Sequence, residues 1–404
     1  MSRWPSVQLR HIAKLAYGAP LPVEAREPGS VPVYGSNGRT GEHSRANTKG
    51  PVIVIGRKGS QGKLQISDHP VFAIDTTYFI DDRFTRANLK WLFYAMSTLP
   101  LPLLTEDVGV PGLSRSTAYD QRLFMPPPSE QAAVANFLDA ETDRIDALID
   151  KRTLTLVALD ARRQATYFAG VSGHLTTLDR PQIAANIPWL PSMPESWPTA
   201  LLKLLATLGS GHTPSRGHPE WWTPVECVIP WITTGEVAQV RLDRIEEITG
   251  TRERISAAGL ANSAAELHPA GTVVLSRTAS VGFSAIMGTA MATSQDFATW
   301  TCGPLLRPRF LLLCLRAMRR DLLGRLAIGS THKTIYMPDI ESIRVPVPPV
   351  TEQDQIVSAV AERLAAIDRS ADTFGRQIGL LRERRQALIT AAVTGEIDVT
   401  RGAA

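Results

Sequence analysis

The sequence predicts an α+β chain: two similar globular α/β regions separated by two long antiparallel coiled-coil helices, with an internal pseudo-twofold repeat. Three matches predict it. Arg162-Arg163-Gln164-Ala165 returns as Arg384-Arg385-Gln386-Ala387, a displacement of 222 residues. The same displacement carries Ser129-Glu130-Gln131 onto Thr351-Glu352-Gln353, and Val171-Ser172-Gly173 onto Val393-Thr394-Gly395. One gapless register over such a span means two copies of one plan.

Residues 1–125, the first globular region, show short β-rich runs divided by turn residues: Pro51–Gly56, Gly62–Ile66 and Val71–Ile74. Asn88–Met96 is predicted as a helix there, and a second is expected over Val7–Ala16. The first long helix occupies residues 126–175. Pro126-Pro127-Pro128 stops the preceding strand, Ser129 is placed to cap, and no proline follows as far as Val171. At about 1.5 Å per residue, such a helix is roughly 65 Å long. Gly173 is the expected C-terminal cap.

Residues 176–345 form the second globular region. Trp197-Pro198 repeats Trp4-Pro5 at a shift of 193, so this region carries 29 extra residues, expected before Gly271–Arg277, which realigns with Gly50–Arg57. Residues 346–398 are the second long helix, with Thr351 and Asp354 in a capping-box-like start, and residues 399–404 a tail. Val360, Leu364, Ile367, Ala371, Phe374, Ile378 and Leu381 alternate spacings of four and three, a coiled-coil seam. Their counterparts are Leu138, Thr142, Ile145, Ile149, Arg152, Leu156 and Leu159, where Arg152 interrupts the apolar series. The second region starts where the first helix ends and finishes where the second begins, so paired helices must run antiparallel.

The composition, 44% hydrophobic and 20% charged, is that of a soluble globular protein. No apolar run approaches the roughly 18 residues a membrane span needs, and the start lacks a signal-peptide core, so the cytoplasm is expected and no membrane partner. Cys227, Cys302 and Cys314 lack metal-ligand or disulfide spacing and read as reduced thiols; no metal site and no cofactor are expected. The net charge is +4, divided as +5 over residues 1–125 and +3 over 180–346 against −3 over 126–179 and −1 over 347–404. A polyanion would prefer the globular regions.

Candidate DNA contacts follow from that division. Arg57, Lys58, Ser60, Gln61 and Lys63 lie in a glycine-punctuated loop that fails P-loop spacing, since Leu64 stands where a magnesium-binding hydroxyl belongs. The cations would meet phosphates and Gln61 a base; the competing reading is a solvated hairpin turn. Arg115 lies near the first region's equivalent of His332 in the 222-residue repeat. Arg277, Thr278 and Ser280 hold the corresponding place in the second region, with His332 and Lys333 in a further polar cluster. Glu130 and Glu352 suit the positive end of a helix dipole. Arg163 and Arg385 fall on the seam continuation, where an arginine turned outward is the default and a partner contact the alternative, shared with Gln164 and Gln386. No catalytic residue is identified: amino-methyltransferase motifs are missing, and Pro338-Asp339-Ile340-Glu341 lacks the lysine of a nuclease motif, Ile343 standing there.

Two diverged globular regions, each followed by a P-P-x-x-E-Q start, a long helix and an R-R-Q-A…V-[ST]-G end, resemble the specificity (S) subunit of type I restriction-modification systems. Val31–Gly38 and Ile229–Thr233 resemble openings of that family's target recognition domains. The resemblance implies a non-catalytic subunit whose two domains each read half of a bipartite site in double-stranded DNA, whose helices set the spacer and dock two methyltransferase (M) subunits, and which restriction (R) subunits join. The other readings are a helical scaffold without DNA contact and the recognition module of a single-chain DNA methyltransferase.

Overall fold

The structure, a computed structural model, describes residues 2–104, 112–176, 180–329 and 333–399. The chain divides into two compact units: residues 1–153 with 375–404, and residues 154–374. The borders fall inside the long helices, so each unit contains one globular region and half of each helix.

In the first unit a four-stranded sheet runs in the order Ala16–Tyr17, Thr77–Ile80, Val52–Gly56, Leu64–Ser67, all antiparallel. Val52–Gly56 is buried along its whole length, as a continuous apolar run at the centre of a sheet should be. A three-stranded sheet places Val31–Gly35 between Gly38–His43, antiparallel, and Phe72–Ala73, parallel. Ser6–Gln8 pairs with Arg122–Phe124 and ties the start of the region to its end.

The second unit repeats all three sheets. Ala206–Ser210, Phe297–Cys302, Val273–Ser276 and Ser284–Met287 follow the same order, with Glu247–Ile248 added at the edge. Ile229–Ile232 lies between Arg254–Ile255, antiparallel, and Ala292–Thr293, parallel. Thr199–Leu201 pairs with Arg344–Pro346. Most of the added length falls between Ile232 and Val273, before the realigned strand as expected.

The helix at Leu89–Ser97 forms, capped by the Asn88 side chain. The helix expected over Val7–Ala16 does not. Its apolar residues repeat at near-helical spacing, but Ser6–Gln8 is captured by Arg122–Phe124 and only Leu9–His11 turns, as one 3₁₀ turn.

The long helices run Pro128–Val171 and Val350–Thr394. Ser129 and Thr351 therefore lie inside the first turn and are not the N-caps expected of them; Pro128, with its φ preset, starts the first helix instead. The predicted seam of the second helix is buried or half-buried at every position, and Arg152 on the first is half-buried. In the first unit Asp146 pairs with Arg385 at 2.9 Å, and in the second Arg163 pairs with Asp368. In both pairs the helices run antiparallel, and the pairs are the same one twice, related by the 222-residue repeat. This corrects the outward-turned arginine: Arg163 is only 5% exposed, enclosed with its carboxylate partner. Gly173 and Gly395 close the helices with φ of +79° and +73°, a left-handed conformation glycine adopts without penalty.

The Glu-Gln pairs have a role beyond the helix dipole. Gln131 and Gln353 are buried. Gln131 accepts from the Asn88 N–H at 2.8 Å and donates to the Pro126 carbonyl; Gln353 accepts from the Arg307 N–H at 2.8 Å and donates to the Leu305 and Pro348 carbonyls. Each glutamine thus binds the N-cap of a globular-region helix, Leu89–Ser97 or Pro308–Ala317. Glu130 accepts from the Trp4 indole and Glu352 from the Trp197 indole, both at 3.2 Å. The Trp-Pro opening and the Glu-Gln start are two ends of one clamp, built once per unit.

Candidate nucleic-acid interface

In the first unit the hairpin turn after Val52–Gly56 crosses toward the segment before Arg115–Asp120. The Arg57 carbonyl accepts from the Leu113 N–H at 2.9 Å, and Lys58 bridges to Gly112. Gly62 makes the turn possible: its φ is +69°, and a Cβ there would meet the Leu101 carbonyl carbon at 2.3 Å. Between turn and helix lies a cleft of about 640 Å³ lined by Tyr17, Arg57, Lys58, Tyr78, Arg115 and Tyr119.

Tyr17 stands at its centre. Its ring lies 5.1 Å from that of Tyr78, and the guanidinium carbons of Arg57 and Arg115 each lie 5.0 Å from its centroid. Arg115 also approaches Tyr119 at 6.0 Å. The Tyr78 hydroxyl donates to the Leu113 carbonyl at 3.1 Å; burial, then the neighbouring Tyr17, pushes its pKa above the ordinary phenol value. The Tyr119 hydroxyl accepts from the Leu15 N–H at 3.0 Å. Arg57 spends one donor on the Asp75 carbonyl. Among the described residues no carboxylate pairs with Arg57, Lys58 or Arg115, so three cations share one cleft without a counter-charge.

The other candidates of this region are less available. Lys63 turns to the Asn37 carbonyl and amide oxygen, both at 2.9 Å. Gln61 is half-buried and its amide donates to the Pro102 carbonyl at 3.1 Å, which braces the loop. Ser60 is half-buried within the turn.

The second unit repeats the backbone of this site with other side chains. The Arg277 N–H donates to the Asp296 carbonyl and its carbonyl accepts from Ile335, matching Arg57 with Thr76 and Leu113. Thr278 bridges to Thr334, and the Ala279 N–H donates to the Lys333 carbonyl, which brings Arg277, Thr278, Ser280 and Lys333 together. His332 lies outside the described residues. By strand register and repeat, Ser210, Ala298 and Met337 stand in the places of Tyr17, Tyr78 and Arg115. Among the described residues this ring-and-guanidinium cluster is found in the first unit and not at the corresponding place in the second.

Sequence reasoning missed the three tyrosines. They are far apart in the chain, and only the pairing of Ala16–Tyr17 with Thr77–Ile80 joins two of them. It also missed an aromatic cluster on the second unit, where Arg216 lies 3.7 Å over Trp222 and His218 stacks on Trp221 at 4.1 Å. Both side chains already have partners: Arg216 pairs with Glu253 at 2.7 Å and His218 lies 2.9 Å from Glu220. Among the partner candidates, Arg163 and Arg385 are held by Asp368 and Asp146, Gln164 is half-buried and Gln386 is exposed.

All three cysteines are free thiols; burial pushes Cys302 up to about 12, and Cys314 also above its ordinary value. No group of metal-ligating side chains occurs among the described residues, and no helix there is long and apolar enough to cross a membrane.

Comparison with known proteins agrees with this architecture. Residues 194–370 match the model of the type I restriction modification DNA specificity domain. The type I restriction enzyme MjaIX specificity subunit of Methanocaldococcus jannaschii is 25% identical over 171 residues, 42% of this chain and 38% of that protein, so the match spans under half of the relative's length. A solved chain from work on complex assembly and conformational transition of the type I R-M system covers 98% of both chains with a TM-score of 0.70 at 15% identity. The HsdS subunit from Thermoanaerobacter tengcongensis covers 98% of this chain and 97% of its own, with a TM-score of 0.48 at 14% identity. Residues 194–370 are thus similar to a type I restriction modification DNA specificity domain, and the fold of the chain is similar to that of a solved chain from work on the type I R-M system.

Proposed function

We propose that the chain is the DNA-reading specificity subunit of a type I restriction-modification complex, acting in the cytoplasm. Each globular region reads one half of a bipartite site in double-stranded DNA. The long helices set the unspecified spacer and dock two methyltransferase subunits, and restriction subunits join that assembly. The chain itself carries no catalytic step; it positions the subunits that do. Gln164 and Gln386, on the long helices beside the paired arginines, remain side chains for partner contact.

The observation that carries the DNA-reading role is the cleft of the first unit. Three cations on one surface, with no carboxylate paired to them among the described residues, repel one another and lose that repulsion on meeting a polyanion. A helical scaffold gains nothing from such a cleft. The test is titration of duplex DNA with the full chain and its methyltransferase subunits at several salt concentrations. Sequence-preferring binding that weakens steeply with salt is expected, and Lys58→Ala should lower the slope by about one counterion. Binding that ignores sequence and salt would contradict the role.

A further inference from the structure

The half-site read by residues 1–125 contains a guanine, we propose, and Arg57 and Arg115, held against Tyr17, are the side chains that select it. The inference rests on the DNA-reading role above and adds which base the cleft is built for.

The cleft chemistry favours guanine. In the major groove adenine pairs with a carboxamide and cytosine with a carboxylate, while guanine presents two acceptors, O6 and N7, to a guanidinium fork. Among the described residues, those lining the cleft include no Asn, Gln, Asp or Glu. What they offer is two arginines, a lysine and hydroxyls. The Tyr78 hydroxyl already donates to Leu113.

Both arginines are prepared for that task. Each guanidinium carbon lies 5.0 Å from the Tyr17 centroid, so its plane is steadied by the ring before DNA arrives, and less side-chain freedom is lost on binding. Among the described residues Arg115 has no hydrogen-bonding or ionic partner for its guanidinium, and Arg57 has only the Asp75 carbonyl. Their donor edges are free. Lys58, an exposed point charge at the same rim, suits a phosphate instead. The second unit has Ser210, Ala298 and Met337 in place of Tyr17, Tyr78 and Arg115, so the device serves one half-site only.

The test uses the full chain copurified with its methyltransferase subunits. Sequencing of methylated bases defines both half-sites, and exchange of residues 1–125 identifies the half that this region reads. Each guanine in that half is then replaced by 7-deazaguanine, which pairs normally but lacks the N7 acceptor. At one guanine, affinity is expected to fall roughly tenfold or more. Arg115→Lys, which keeps the charge but not the fork, should retain the salt dependence while binding normal and 7-deaza duplexes more nearly alike; Tyr17→Phe should preserve the difference and Tyr17→Ala reduce it. A half-site without guanine, or equal binding of every 7-deaza duplex, overturns the inference while leaving DNA reading intact. A drop for Arg115→Lys that is the same on all sequences also overturns it, as a backbone contact. Absence of any duplex binding by the native complex overturns the DNA-reading role with it.

Discussion

Gln131 and Gln353 each join three segments with one side chain, and their burial makes the loss of either expensive. Replacing Gln353 by Leu leaves the Arg307 N–H and two carbonyls without their partner, which should cost about 2–4 kcal/mol and lower the melting temperature by several degrees. An unchanged melting curve would show that the clamp is ornamental. The seam arginines give a sharper contrast, because identical repeat residues sit in different surroundings. The side chain of Arg163 is 6% exposed and that of Arg385 33%, so Arg163→Ala should cost about 2–3 kcal/mol and Arg385→Ala less than about 1, measured by denaturant unfolding. Equal costs would contradict the burial argument. Asp81 supplies a pH test. Burial raises its pKa, but hydrogen bonds from the Arg83 side chain and from the Lys49 and Arg83 N–H groups outweigh that and hold it below the ordinary aspartate range. Its charged form therefore stabilises the first unit fully above the unfolded pKa, and the stability is lost as pH falls through the lower folded value. The advantage of the native chain over Asp81→Asn should be constant near neutrality and shrink below about pH 4.

Elements were legible in the sequence to the degree that local rules decided them. The long helices follow from proline runs, glycine caps and seam spacing, all local signals, and the buried strand Val52–Gly56 from an apolar run between turns. The helix expected over Val7–Ala16 failed because a strand 115 residues away, Arg122–Phe124, claims its first residues. No window of neighbouring residues contains that fact. The same limit hid the cleft: Arg57, Lys58 and Arg115 were visible as cations, but the tyrosines that organise them come from strands paired only in the folded sheet. The partner of the Gln61 amide, the Pro102 carbonyl, was not legible either, because it belongs to a turn the sequence does not place. Where the Glu-Gln pairs were concerned, the helix dipole was a sufficient local reason, and the clamp to the Trp-Pro opening appeared only with the fold.

At the scale of the whole chain the repeat was the strongest signal, and its physical content is now specific. All three sheets recur in order, the clamp recurs, and one Arg–Asp pair recurs across the two helices. What diverges is the surface between the turn and the short helix, with Tyr17, Tyr78 and Arg115 in one unit against Ser210, Ala298 and Met337 in the other. Shared framework with unlike surfaces is the arrangement expected of two readers of unlike half-sites. If the long helices are the ruler between them, seven residues inserted at matched points of both should lengthen the unspecified spacer without altering either half; an unchanged spacer would move the ruler elsewhere. The account is tested most directly by sequencing methylated bases in cells that express the chain with its methyltransferase subunits, before and after residues 1–125 are exchanged for those of a relative. It predicts a bipartite methylated site of which one half changes and the other stays. A change in both halves, or methylation without a bipartite site, would contradict it.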